Sequence, residues 1–161
     1  RAATTLMKRT QAGLPRRASF IACVLLVVAG CTRGPAVVLR ATDGANVRVR
    51  VEVVNTPTAR QQGLMYRREM AADAGMLFVF PGDGVLHFWM KNTLIPLDML
   101  FIDRDRRIVG IVENARPMST EPVGPDQAAR YVLEVNGGFA AQHHIATGGT
   151  VEFADVPEGA S

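Results

Sequence analysis

Hydrophobic and charged residues alternate strictly from Val47 to Val53, where every odd position is valine and every even position is arginine or glutamate. Because successive side chains of a strand point to opposite faces, this pattern predicts an antiparallel strand with one buried and one solvated face. A Thr-Asp-Gly turn at 42–44 separates it from a β-branched run at 37–40. The two segments predict the first hairpin of a β-rich domain.

Further apolar runs, bounded by glycine, proline, asparagine or aspartate, predict the remaining strands at 75–80, 86–91, 97–103, 107–112, 131–135 and 150–153. Thr56 followed by Pro57, with Gly63 beyond, predicts a short helix over 57–62. Helical turns are expected at 139–144 and, as one interpretation, at 66–74. We therefore expect a single all-β domain over 37–155, with about eight strands, built as a jelly-roll-like sandwich or a partly closed barrel.

The first thirty residues follow a different pattern. Residues 20–29 are uncharged and apolar, and they lie between a region with four cations (Lys8, Arg9, Arg16 and Arg17) and Val-Ala-Gly-Cys at 28–31. This order is typical of an export signal over residues 1–30, and the run is shorter than the ~20 residues of a membrane span. Met7 is a plausible true start. The competing interpretation is a buried core segment with Cys31 as an ordinary cysteine.

The ending Val-Ala-Gly-Cys resembles the lipobox of bacterial lipoproteins. That resemblance implies cleavage before Cys31, lipid on its sulfur, a tether over 31–36 and a membrane as partner. The protein is then expected to be exported and lipid-anchored on the periplasmic face of the cell envelope. The residue after Cys31 is Thr32 and not aspartate, which favours the outer membrane in a cell with two membranes. Residues 156–161 are expected to form a C-terminal tail.

Charge and cysteine content exclude several classes of protein. Five of the 18 basic residues and none of the 15 acidic residues precede position 31, so the remainder carries 13 − 15 = −2. A basic surface for nucleic acid is therefore not expected. Cys23 would leave with the signal and Cys31 would be lipidated, which removes thiol catalysis, disulfides and zinc–thiolate sites. No Gly-x-Ser-x-Gly or phosphate-binding glycine loop occurs, and no cofactor is expected.

The stretch at 88–103, Phe-Trp-Met-Lys-Asn-Thr-Leu-Ile-Pro-Leu-Asp-Met-Leu-Phe-Ile-Asp, resembles the DUF192 family, also called UPF0127. Segments at 56–67, 75–81 and 130–138 fit the same pattern, so the resemblance covers roughly residues 46–154. Asn55 and the Gly-Gly pair at 148–149 are mild departures from it. The resemblance implies a compact, mostly β domain of jelly-roll type. It implies no activity and no catalytic residues.

Alternation within this motif places His87, Trp89 and Lys91 on the face opposite the core residues Leu86, Phe88 and Met90. Trp89 and Lys91 could present an aromatic plate and a cation to a sugar ring or planar ligand. Asn92 and Thr93 would add hydrogen-bonding groups at the bend that follows. The structural alternative is that Trp89 fills the second face of a buried strand while Lys91 pairs with Asp98.

Other candidate residues are interpreted mainly as structural. Arg60, near the helix end with Arg67, could bind a carboxylate or phosphate, although a surface ion pair is favoured. Arg130 and Glu134 share a strand face and are interpreted as an exposed charge pair. The adjacent His143 and His144 point apart and predict no metal site. Cu(I) favours thioethers, but the methionines occupy apolar strand positions that favour core packing (Met76, Met90 and Met99).

The leading hypothesis is a non-enzymatic, membrane-tethered envelope module that binds a small molecule, a glycan or a partner protein. Its site is expected on the concave side of the sheet, around Trp89, Lys91 and Asn92. One alternative is a hydrolase or lyase that uses Lys91, Asp98 and His87. Another is a periplasmic protein that handles Cu(I).

Overall fold

The computed structural model describes residues 34–157, which form one mostly β domain around a curled sheet. Its elements are β1 (Ala36–Arg40), β2 (Asn46–Val54), α1 (Pro57–Gln62), β3 (Ala74–Val85), β4 (Leu97–Ile102), β5 (Ile108–Ala115), β6 (Ala128–Asn136), α2 (Phe139–Gln142) and β7 (Val151–Ala154). The expected β-rich single domain is confirmed. The predicted signal peptide, Cys31 and residues 158–161 of the predicted tail lie outside the described residues.

Local sequence accounts for the short helix α1 and its position. The Oγ1 atom of Thr56 accepts a hydrogen bond from the backbone N–H of Ala59, and Pro57 occupies the first turn. At the other end Gly63 has φ +47°, and its N–H donates to the carbonyl of Ala59 at 2.9 Å. A Cβ atom on Gly63 would lie 3.2 Å from the ring of Phe78. Glycine therefore both ends the helix and lets the chain pass close to β3.

The strands form a single sheet in the order β5-β4-β6-β3-β2-β1-β7. Every neighbouring pair is antiparallel except β2 and β3, which run parallel and are joined through α1. The strand predicted as antiparallel at 47–53 therefore pairs antiparallel with β1 and parallel with β3. At one end the two edge strands approach each other, since the N–H of Ile108 donates to the carbonyl of Gly149 at 2.9 Å. The curled sheet is a half-barrel, the partly closed form of the two predicted architectures.

Two apolar clusters cover the two faces of this sheet. The inner cluster draws on both edge strands and on α2, so it lies inside the curl; its members include Val37, Leu39, Val49, Leu77, Leu100, Ile108, Leu133, Phe139 and Val151. The outer cluster lies on the other face of the central strands and contains Leu64, Met76, Phe78, Met90, Leu97, Met99, Phe101, Ala115, Ala129 and Val132. The methionines named above are thus buried in core packing, as the apolar pattern predicted.

Three predicted segments differ from the structure. Residues 86–91 form no sheet strand, because their only ladder contact is a bridge between Phe88 and Val123. This segment instead crosses the outer face and buries Met90 against it, so its alternating burial was predicted correctly but its pairing was not. Strand β3 continues beyond Pro81 to Val85 after an irregularity that follows Val79. Residues 66–74 contain turns and no helix. The sheet has seven strands.

Candidate functional site

A cavity of about 420 Å³ opens on the outer face of the sheet. Its floor is formed by β3 and β6, and its walls are α1 with the following turn on one side and the 86–93 segment on the other. We call it the outer pocket; its lining residues are Arg60, Gln61, Gln62, Gly63, Leu64, Met65, Phe78, Phe80, His87, Phe88, Trp89, Thr93, Pro122 and Glu134. The motif residues Trp89 and Thr93 therefore lie at the outer face of the sheet, and not on the concave side where the site was expected.

Aromatic side chains form much of the wall of the outer pocket. The ring of Phe88 lies 5.1 Å from that of Phe78 and 6.2 Å from that of Phe80, both edge-to-face, and it also meets Phe101 at 5.9 Å. Such arrangements stabilise aromatic clusters beyond their buried area and hold the rings in place. Trp89 lies at the mouth and is 47% exposed. The pocket is thus apolar, with a fixed aromatic wall and one accessible indole.

Glu134 is the acidic group of this pocket. It lies on β6 with Met76 of β3 and Met99 of β4 as its cross-strand neighbours, and it is only 4% exposed. No hydrogen bond or ion pair to its carboxyl is found among residues 34–157. Burial raises the pKa of Glu134 to about 8, because desolvation disfavours the charged form. At neutral pH the carboxyl is therefore mainly protonated.

Arg60 is held at the edge of the outer pocket by the backbone. Its Nη1 donates to the carbonyls of Asn55 at 2.6 Å and Val79 at 2.8 Å, and its guanidinium lies 5.0 Å from the centre of the Phe80 ring. The ion pair at this end of α1 is made by Arg67, which binds both carboxylate oxygens of Glu52. Arg60 therefore joins the end of β2 to β3.

The loops around the pocket mouth contain three residues with left-handed backbone, Tyr66 (φ 64°), Asn92 (φ 58°) and Met118 (φ 63°). The N–H of Tyr66 donates to the carbonyl of Asn92 at 2.8 Å, and Nδ2 of Asn92 donates to the Tyr66 hydroxyl at 3.0 Å. The N–H of Met118 donates to the carbonyl of Thr93 at 3.0 Å. These hydrogen bonds tie three loops together beside the pocket.

Lys91 and Asp98 are not brought together. Asp98 is fully buried, and its Oδ1 accepts hydrogen bonds from the N–H groups of Asn114 at 2.8 Å and Gly138 at 2.9 Å, while Oδ2 accepts from Ala140 at 2.8 Å. Lys91 is exposed, with Nζ 5.5 Å from the Trp89 ring centre. The predicted ion pair between them is wrong within the described residues, because backbone donors occupy the carboxylate. The proposed acid of a hydrolase or lyase is thus a structural group.

The predicted exposed pair of Arg130 and Glu134 is also wrong. Glu134 is buried and lines the outer pocket, whereas Arg130 lines a separate cavity with Arg106 and Tyr131. Of the predicted site residues, the outer pocket brings together Arg60, His87, Trp89, Thr93 and Glu134. It leaves out Lys91, Asn92, Asp98 and Arg130.

Sequence reasoning missed the aromatic floor and wall, Phe78, Phe80 and Phe88, which it assigned to core strands. It also predicted that the side chain of Glu134 is exposed. A usable signal was present, because Glu134 lies between Leu133 and Val135 in a strand with apolar residues on both faces. A charged residue within such a run is unusual unless it is paired or functional.

Between residues 34 and 157, no three His, Cys, Asp or Glu side chains are grouped to hold a metal ion. The ring of His143 packs 4.4 Å from that of Phe139, and His144 is exposed. In the same part of the chain, no helix has the length and apolar character needed to cross a membrane.

Comparison with known proteins identifies relatives of this domain. The model of the DUF192 family, described as "Uncharacterized ACR, COG1430", matches residues 38–153. No curated protein matches the chain. A solved structure from Sinorhizobium meliloti 1021, named a "putative transcription regulator", is 41% identical with a TM-score of 0.73, over 77% of this chain and 97% of its own. A protein of unknown function from Novosphingobium aromaticivorans DSM 12444 is 38% identical with a TM-score of 0.70, over 73% and 83%.

Proposed function

Because the chain belongs to the DUF192 family, whose function is unknown, we propose from the outer pocket that this domain is a non-enzymatic module that binds a small molecule. The single observation that carries the proposal is Glu134, a residue only 4% exposed that has no side-chain hydrogen bond within residues 34–157 and lines an aromatic cavity. A buried polar group without a partner costs free energy, and a ligand that hydrogen-bonds to it would recover that cost.

The size and lining of the cavity favour a small molecule over a glycan or a protein segment. Its volume of about 420 Å³ falls within the range of ~300–1,000 Å³ that is usual for ligand pockets. Most of the accessible lining is apolar and the floor and wall are aromatic, so a sugar with hydroxyls on every side would leave many of them without partners. The lining instead fits a compact, mostly apolar ligand with one polar group directed at Glu134.

The proposed location is the cell envelope, with lipid on Cys31 holding the domain at a membrane. This part of the proposal depends on the apolar leader and the Val-Ala-Gly-Cys ending. The net charge of −2 after residue 30 argues against a nucleic-acid partner, whatever the name of the Sinorhizobium relative indicates for that protein. Mass spectrometry of protein from cells should find acyl chains on an N-terminal Cys31; an unmodified Cys31 would remove the envelope role and leave the pocket untouched.

Binding at the pocket is tested with a fragment library and the domain over residues 34–157. Trp89 is the only tryptophan of the chain, so its fluorescence reports on the pocket mouth directly. We expect fragments that change this emission also to raise the melting temperature. The variant Trp89→Ala should bind these fragments about tenfold or more weakly, measured by calorimetry, since an aromatic contact is lost.

Lys91→Ala is the matched control, because Lys91 neighbours Trp89 but does not line the cavity. The affinities of this variant for the fragments should stay within about twofold of those of the parent protein. Equal affinities of Trp89→Ala and the parent protein for every fragment would show that the outer pocket is not the binding site.

A further inference from the structure

The outer pocket combines two kinds of group that together recognise one class of ligand. Aromatic rings line its wall, and a single carboxyl lies on its floor. The faces of aromatic rings attract cations, and a desolvated carboxylate pairs with an ammonium group. We infer that the ligand of this pocket is an organic cation, an amine whose ammonium group binds Glu134 while its apolar part lies among the aromatic rings. This inference rests on the proposed function and adds the class of ligand.

The surroundings of Glu134 leave the carboxyl available to a ligand. Its cross-strand neighbours on β3 and β4 are Met76 and Met99, which carry no charge. The charged or titratable groups elsewhere on the pocket wall are Arg60 from α1 and His87 from the 86–93 segment, and neither is paired with Glu134 within residues 34–157. A positively charged ligand group is therefore the missing partner that this carboxyl would take.

Arg60 could instead suggest an anionic ligand, but its geometry argues against that. Its Nη1 is already engaged by two backbone carbonyls, and its guanidinium is stacked beside Phe80. An anion in the cavity would also lie near Glu134, which would repel it whenever the carboxyl is ionised. The buried acid, and not the edge arginine, is thus the group that selects the charge of the ligand.

Ligand binding of this kind releases a proton. Burial keeps Glu134 mainly protonated at neutral pH, so an ammonium ligand binds as the carboxyl loses its proton to the solvent. The affinity for an ammonium ion should therefore rise by roughly tenfold per pH unit between pH 6 and the pKa of about 8, and level off above it. His87 also lines the pocket, so its contribution to binding needs a separate variant.

The test compares three probes of matched size, 2-phenylethylamine, 2-phenylethanol and 3-phenylpropionate, by calorimetry at pH 6, 7 and 8. We expect the amine to bind most tightly, with close to one proton released per amine at pH 6. Glu134→Gln should weaken binding of the amine at least about tenfold and leave binding of the alcohol within about twofold, because the variant loses only the ability to ionise. In His87→Gln, the affinity for the amine should keep the same dependence on pH.

Each other outcome overturns the inference. If the alcohol binds as tightly as the amine and Glu134→Gln changes neither, the pocket selects apolar ligands; the proposed function then stands and the cation preference fails. A preference for the propionate that is lost in Arg60→Ala would show an anion site. If no arylalkylamine binds at millimolar concentration, the inference fails even where the fragment library finds neutral ligands.

Discussion

Two buried carboxyl groups of this domain have opposite surroundings. Asp98, at the start of β4, accepts hydrogen bonds from three backbone N–H groups, which belong to Asn114, Gly138 and Ala140. Glu134, on the adjacent strand β6, accepts none within the described residues and lines the outer pocket. Both are nearly inaccessible to solvent. The comparison shows that burial alone does not tell a structural acid from a candidate binding group.

The difference follows from where each carboxyl points. Asp98 joins β4 to β5 and to the first turn of α2, whose N-cap position is Gly138 and offers no side-chain cap. Its carboxylate supplies the acceptor that the helix lacks. The side chain of Glu134 lies on the outer face among thioethers and aromatic rings, which offer no strong donor. One acid therefore contributes to folding, whereas the other is stabilised only if something binds it.

The largest expected effect is that of Asp98→Asn. An amide in this position turns one acceptor into a donor that faces a backbone N–H, and each unsatisfied buried group costs ~1–3 kcal/mol. We expect the free energy of unfolding to fall by roughly 3–5 kcal/mol, measured by urea denaturation at pH 7. The matched variant Glu134→Gln should be at least as stable as the parent protein. Equal losses in both variants would contradict the comparison.

The second prediction concerns pH. The pKa of Glu134 is raised from 4.5 to about 8 by folding, so the folded state retains a proton that the unfolded state loses. The stability that this group contributes is present below pH 4.5 and is lost as the pH rises through about 8.

Glu134→Gln cannot ionise, so it should gain stability relative to the parent protein between pH 5 and pH 8. The gain should be on the order of 2 kcal/mol at pH 8, less than the full pKa shift implies, because relaxation around a buried carboxylate lowers the cost of ionising it. Urea denaturation of both proteins at each pH measures it. A difference that stays constant with pH would show that burial does not shift the Glu134 pKa.

The smallest expected effect is that of Lys91→Ala. Lys91 touches neither carboxyl, and its interaction with the exposed face of Trp89 is worth at most ~0.5–1 kcal/mol. We expect the free energy of unfolding to change by about 0.5 kcal/mol or less. A loss comparable to that of Asp98→Asn would mean that Lys91 is coupled to the buried acids after all.

Local patterns were sufficient for much of the fold. The alternation at 47–53 and the turn at 42–44 predicted the β1–β2 hairpin, and Thr56, Pro57 and Gly63 predicted the bounds of α1. These features depend on neighbours along the chain. The 86–91 segment was predicted as a strand because its side chains alternate, but alternation indicates an extended chain and not a hydrogen-bonded partner.

The site was only partly predictable. His87, Trp89 and Thr93 were found because they lie in one motif, and Arg60 because it ends a helix. Glu134 was named but assigned to the surface, and Lys91 and Asp98 were assigned to each other. Each error concerns contacts between segments that are distant in sequence, such as the backbone donors at 114 and 138–140 that reach Asp98.

The sequence by itself determined that this chain contains a β-rich domain of the DUF192 pattern, because strand periodicity, turn chemistry and helix caps are local properties. Only the tertiary structure decided which acid is satisfied and which is not. Hydrogen bonding and desolvation depend on what packs around a residue, and most residues that share the outer pocket with Glu134 come from segments distant in sequence, at 60–65 and 87–93. The outer pocket is a product of that packing.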